Sequence, residues 1–191
     1  MLSSHPTLFL LVGVAATLAA PVLDARQSAC FVVGSIPLPA EVADVVTSIQ
    51  ASITCSSRAT TLSGVPDVTS GETSFSSVDF SQSDQTPLAF ALSEFATADP
   101  LASTDLAEFT DRLNVYLATE AGIRSVGGSL AIKIPKFFLE FQVSRIQTAQ
   151  GNPPTEPGLQ VDHLRDKVLK NAASESKDLQ NQVTALAEVL T

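Results

Sequence analysis

Few side chains in this sequence are equipped for chemistry, and each has a simple reading. Two cysteines, Cys30 and Cys55, are the only thiols. An even count in a chain that carries an export signal favours one disulfide between them, and neither Cys-x-x-Cys nor neighbouring His is present for a redox or metal role. In the chain-entropy picture, closing a loop of this size is worth about 3 kcal/mol. His163 follows Asp162, but consecutive helix positions point about 100 degrees apart, so the pair forms no working dyad and His163 reads as a surface imidazole. Gly127-Gly128-Ser129 lacks the last Gly of a nucleophile elbow and the Lys-Ser/Thr of a phosphate loop, and its Gly pair reads as a hinge or a helix terminator. Glu120 and Arg124, four residues apart, predict a helix-surface ion pair worth a few tenths of a kcal/mol. No catalytic residue, cofactor-binding residue or metal ligand is assigned, and the chain reads as a non-enzyme without a cofactor.

The amino terminus carries the clearest signal. Leu8 to Ala20 form an apolar run that ends in small residues and is too short to span a bilayer. Residues 1–19 are read as a signal peptide cut after Ala19, because Thr17 and Ala19 are small and a cut after Ala20 would set Pro21 against the scissile bond. Residues 20–26 are either a propeptide removed at Arg26, giving a start at Gln27, or a leader that stays attached. No other stretch is long enough to anchor the chain, the carboxyl terminus is too short and charged for a glycolipid signal, and no Asn-x-Ser/Thr is present. The mature form is therefore expected outside the cell, free or wall-associated, without a membrane anchor.

Charge narrows the partners. The chain carries a net charge of −9. Residues 27–111 hold one basic side chain, Arg58, against 11 acidic ones, whereas residues 112–170 hold eight basic and five acidic. An overall negative field repels polyanions, so nucleic acid is excluded as a partner. With no Trp and one Tyr, Tyr116, the chain is poorly supplied for stacking sugars, while ten Phe, one of them in the signal, supply most of the aromatic bulk.

Apolar spacing then predicts the scaffold: a mainly α, single-domain bundle over residues 27–191, with five to six helices, a long Ser/Thr/Gly-rich loop and room for one short strand. Val42, Val45, Val46, Ile49 and Ile53 predict a helix over Pro39–Thr54 with Pro39 at its first position. The loop occupies residues 56–83. Thr86-Pro87 opens a short helix with Leu88, Leu92 and Phe95 on one face, ending near Asp99-Pro100. Asp105 and Glu108 open a longer helix that runs to Gly122 or beyond. Pro135 opens a segment in which Phe137, Phe138, Leu139, Phe141, Val143 and Ile146 point in most directions, which predicts the buried central helix. Residues 151–158 are a linker, and residues 159–190 form one helix or a pair jointed at Ser174-Glu175-Ser176.

The segments Gly64-Val-Pro-Asp-Val-Thr-Ser-Gly71, Ser83-Asp-Gln-Thr-Pro-Leu88, Leu117-Ala-Thr-Glu-Ala-Gly-Ile-Arg-Ser-Val-Gly-Gly128 and Ile132-Lys-Ile-Pro-Lys-Phe-Phe-Leu-Glu-Phe141 resemble an uncharacterised family of small secreted fungal, ascomycete-type proteins. That resemblance implies an extracellular fungal setting and no catalytic residues. A weaker resemblance links Tyr116-Leu-Ala-Thr-Glu120-Ala-Gly-Ile123-Arg124 to the Glu-x-x-His helix of fungal ferritin-like secreted proteins, with Ile123 where the His ligand would stand and no second Glu-x-x-His. The leading expectation is a secreted, non-enzymatic binding factor, effector-like or wall-associated, for an unknown protein or surface partner. Its variant adsorbs to surfaces through the terminal helix. The alternative is a ferritin-like bundle with a metal or redox role through Glu108, Glu120 and Glu140, and a purely structural or storage role is a third. Oligomeric state is left open.

Overall fold

The computed structural model describes residues 29–191. The signal peptide, the cut after Ala19 and the junction at Arg26 lie outside the described residues. The chain is mostly helical: α1 (Ala40–Ile49), α2 (Pro87–Glu94), α3 (Leu106–Val126), α4 (Lys133–Ala149), α5 (Val161–Asn171) and α6 (Lys177–Ala187). Three strands, β1 (Thr54–Thr60), β2 (Pro66–Ser70) and β3 (Thr73–Ser74), form one antiparallel sheet in the order β1-β2-β3. Cys55 pairs with Val68 and Thr69 with Ser74.

The sheet corrects two expectations. First, the opening helix does not reach Thr54. It ends at Ile49, a short 3-10 turn covers Gln50–Ser52, and Ile53 is already extended, so Thr54 and Cys55 enter β1. Ile53 continues the helical spacing, yet it reaches the core from extended backbone. Pro39 is the N-cap instead of the first helical residue, and its carbonyl accepts from the Val42 and Ala43 N–H groups. Second, residues 56–83 hold most of the sheet and several 3-10 turns where a loop with one strand was expected. Their anchors Val65, Val68, Phe75, Val78 and Phe80 are buried, and the polar side chains satisfy the turns between them. Asp67 accepts from both the backbone N–H and the hydroxyl of Ser76, and Ser70 donates to Asp111 on α3 at 2.7 Å.

The helix boundaries follow local chemistry. Thr86 accepts from the Ala89 N–H above Pro87 in α2, and Asp105 accepts from Ala107 and Glu108 N–H at the start of α3. Gly127, at φ 74, closes α3 in the left-handed conformation that favours glycine. α4 begins at Lys133, two residues before Pro135, because a first-turn proline has no N–H that the helix needs. The end of the chain is a helix pair: Ser176 caps α6, and the Gln180 amide ties the joint by donating to the Ala172 and Glu175 carbonyls.

α3 and α4 pack against each other at the centre, the sheet covers α3, and α5 lies along α4. Phe138, Leu139, Phe141 and Ile146 of α4 are fully buried, as the central-helix expectation requires. Tyr116 is also fully buried, edge-on to Phe75 and Phe95 at centroid distances of 5.1 and 5.7 Å, and its hydroxyl donates to the Val78 carbonyl at 2.6 Å.

Candidate functional site

Where α1, α3, α4 and α5 meet, they line a pocket of about 310 Å³ whose cations all come from the basic stretch of the sequence. Leu117, Glu120 and Arg124 lie three and four residues apart on α3, so they share one face of that helix. Lys133, Lys136, Phe137 and Glu140 repeat the same spacing on α4, α5 adds Lys167, and α1 closes the wall with Glu41, Val42 and Val45. Four cations thus face three carboxylates, a surplus of one positive charge in a chain of net charge −9.

The pairing inside this group is uneven. Glu120, only 4% exposed, receives both Nε and a terminal nitrogen of Arg124 on one oxygen, at 2.9 and 2.8 Å. Its other oxygen lies 3.5 Å from the Lys136 ammonium, which also reaches Glu140 at 3.3 Å. Lys136 therefore bridges two carboxylates while sitting 3.4 Å from the centre of the Phe137 ring. The Lys133 and Lys167 ammoniums lie 5.8 and 5.7 Å from the centre of the same ring and have no ion-pair partner among the described residues. Burial depresses the Lys133 pKa below the usual lysine range, and the charge of Arg124 adds to that, as do Lys136 and Lys167, against the opposing pull of Glu120. Burial likewise raises the Glu140 carboxyl above its ordinary value, against the opposing effect of Lys136.

The disulfide holds the wall of this pocket at one remove. Cys30 and Cys55 are bonded, joining the segment before α1 to β1. That segment then crosses the end of α3: Gly34 N–H donates to the Ser125 hydroxyl and Ile36 N–H to the Ser125 carbonyl, both at 2.9 Å. A Cβ at position 34 would overlap that carbonyl, so only glycine lets the two backbones approach this closely. Bond and strap together fix where α1 begins.

The family model for a domain of unknown function, DUF7143, matches residues 32–191. The chain belongs to that family. The DUF7143 match includes every residue lining the pocket and stops short of Cys30. No curated protein and no solved structure matches the chain.

Of the other residues singled out in the sequence, His163 is exposed on α5 and Ser129 is exposed beyond α3. Glu108 pairs with Arg112 near the start of α3, about 18 Å along the helix from Glu120 at 1.5 Å per residue, so it cannot join the other two carboxylates. Glu120 and Glu140 do come together, but around an ammonium. Ile123, at the position of the absent His ligand, points into the core. Among the described residues no three His, Cys, Asp or Glu side chains gather to hold an ion, so this donor set does not fit a carboxylate-bridged metal centre. The Glu120–Arg124 pair expected on the surface is buried on its Glu120 side, because α1 and α4 pack against α3 there. Phe137, expected in the buried core, is half-buried in the pocket wall, and Lys133, Lys136 and Lys167 escaped the sequence reading. Their signal was the excess of basic residues between 112 and 170 together with the helical spacing from Lys133 to Glu140.

Proposed function

We propose that this DUF7143 chain is an exported, non-enzymatic binding protein, effector-like or wall-associated in a fungal setting, and that the pocket between α1, α3, α4 and α5 is its ligand site. The observation that carries this reading is the pair Lys133 and Lys167. Two ammoniums drawn partly out of water, with no close ion pair of their own among the described residues and beside two further cations, cost stability while nothing pairs them. A ligand that neutralises them would offset that cost. Export draws support from the leader sequence and the disulfide, and among the described residues no helix is long and apolar enough to cross a membrane.

The test is native mass spectrometry on protein recovered from the medium of a producing fungal culture. The expected species starts at Ala20 or Gln27, gains two hydrogens on reduction and carries a bound small molecule that Lys133→Met/Lys167→Met fails to retain. Protein that stays inside the cell with its leader and free thiols would overturn the export reading. A transition metal retained by the wild type and lost from Glu120→Ala would overturn the binding reading in favour of a metal protein.

A further inference from the structure

Resting on that binding reading, we propose that the pocket takes a small organic acid, its carboxylate between Lys133 and Lys167 and its apolar body against Phe137, Val42, Val45 and Leu117. Three features of the site select this chemistry. The lining carries one positive charge in excess, which a single carboxylate balances. Inorganic phosphate or sulfate would bring more negative charge against Glu120, Glu140 and Glu41, and would leave the aliphatic and aromatic wall wet. A neutral apolar molecule would displace water from Lys133 and Lys167 while giving them no acceptor, which is costly for an ammonium. A cavity of about 310 Å³ lies at the small end of the range for ligand pockets, about 300–1,000 Å³, so it suits a compact acid better than a protein chain.

Lys136 already bridges Glu120 and Glu140, and Arg124 is committed to Glu120. That leaves Lys133 and Lys167 as the free donors. The ring of Phe137 has its centre within 6 Å of both ammoniums, so a carboxylate held by them lies beside that ring and brings its apolar body to the wall Phe137 belongs to. The assignment is therefore to acids with a short aliphatic or aromatic body.

Calorimetric titration of the intact mature chain with hexanoate and phenylacetate, using hexanamide and inorganic phosphate as comparators, tests the assignment. The acids are expected to bind, with hexanamide and phosphate weaker by about tenfold or more. The same loss is expected for the acids on Lys133→Met/Lys167→Met, which removes no ion pair and should keep its circular-dichroism spectrum. Each single variant serves if the double one fails to fold. Hexanamide binding as well as hexanoate, phosphate binding as well as either acid, or undiminished acid binding by the variants would each overturn the assignment. If no acid binds while the recovered protein carries some other molecule, the ligand class falls and the binding reading stands. If the recovered protein carries nothing either, both fall.

Discussion

Two places in this fold bury positive charge, and they treat it differently. At the junction of α4 with the end of the chain, Arg145 is 1% exposed and has no carboxylate ion-paired to it among the described residues. It is held instead by neutral acceptors: the Gln142 side-chain oxygen at 2.6 Å and the Val189 carbonyl at 2.9 Å, just past α6. The negative end of the α6 dipole supports that arrangement. Burial still pushes the Arg145 pKa down to about 10. In the pocket on the other face of α4, Lys133 and Lys167 line a cavity and make no close ion pair among the described residues. A cation fixed by backbone and side-chain acceptors is a structural tie, whereas the role proposed for the cations facing the cavity is to meet a ligand.

This contrast yields graded expectations. Arg145→Ala should be the most damaging change, because it opens a cavity, strands the Gln142 and Val189 oxygens and frees the last helix. A loss of about 3 kcal/mol in urea unfolding, with faster amide exchange in α6, is expected. A loss below about 1 kcal/mol would mean that Arg145 is not the tie described here. Glu120→Gln should cost about 2 kcal/mol, since Arg124 and Lys136 lose their shared charge and Lys136 keeps only Glu140. Lys133→Met or Lys167→Met should run the other way and stabilise the ligand-free protein by about 0.5 kcal/mol, the scale of a relieved like-charge pair. Destabilisation by either would contradict the surplus-charge account.

How much of this was legible in the sequence differs between the same regions. The caps at Thr86 and Asp105, the stop at Gly127 and the buried character of α4 were written in local residue order, because capping and amphipathic spacing act within a few residues. The sheet was not. β1 reads Thr54-Cys-Ser-Ser-Arg-Ala-Thr60 and is exposed along nearly its whole length, so no apolar alternation announced it. The pocket was legible only in fragments. The spacing of Lys133, Lys136, Phe137 and Glu140 puts them on one face of α4, but which way α5 returns after the 151–158 linker decides that Lys167 completes the group. That outcome depends on contacts far apart in sequence.

The smallest expected effect concerns pH. The Glu140 carboxyl is raised in the folded protein, so it binds a proton that the unfolded chain has already released, and the stability this contributes is present below the ordinary glutamate pKa and lost as pH rises through the raised value. Urea unfolding followed from acid towards neutral pH should therefore show the wild type losing stability relative to Glu140→Gln. The opposite slope would mean that Lys136 outweighs burial at this site.

The most direct test of the central claim compares melting temperatures of the wild type and Lys133→Met/Lys167→Met, with and without hexanoate in excess. Without ligand the variant should melt higher; with hexanoate the wild type should rise and the variant should not. Equal rises in the two proteins, or a variant that melts lower from the start, would contradict the assignment of these lysines to a ligand.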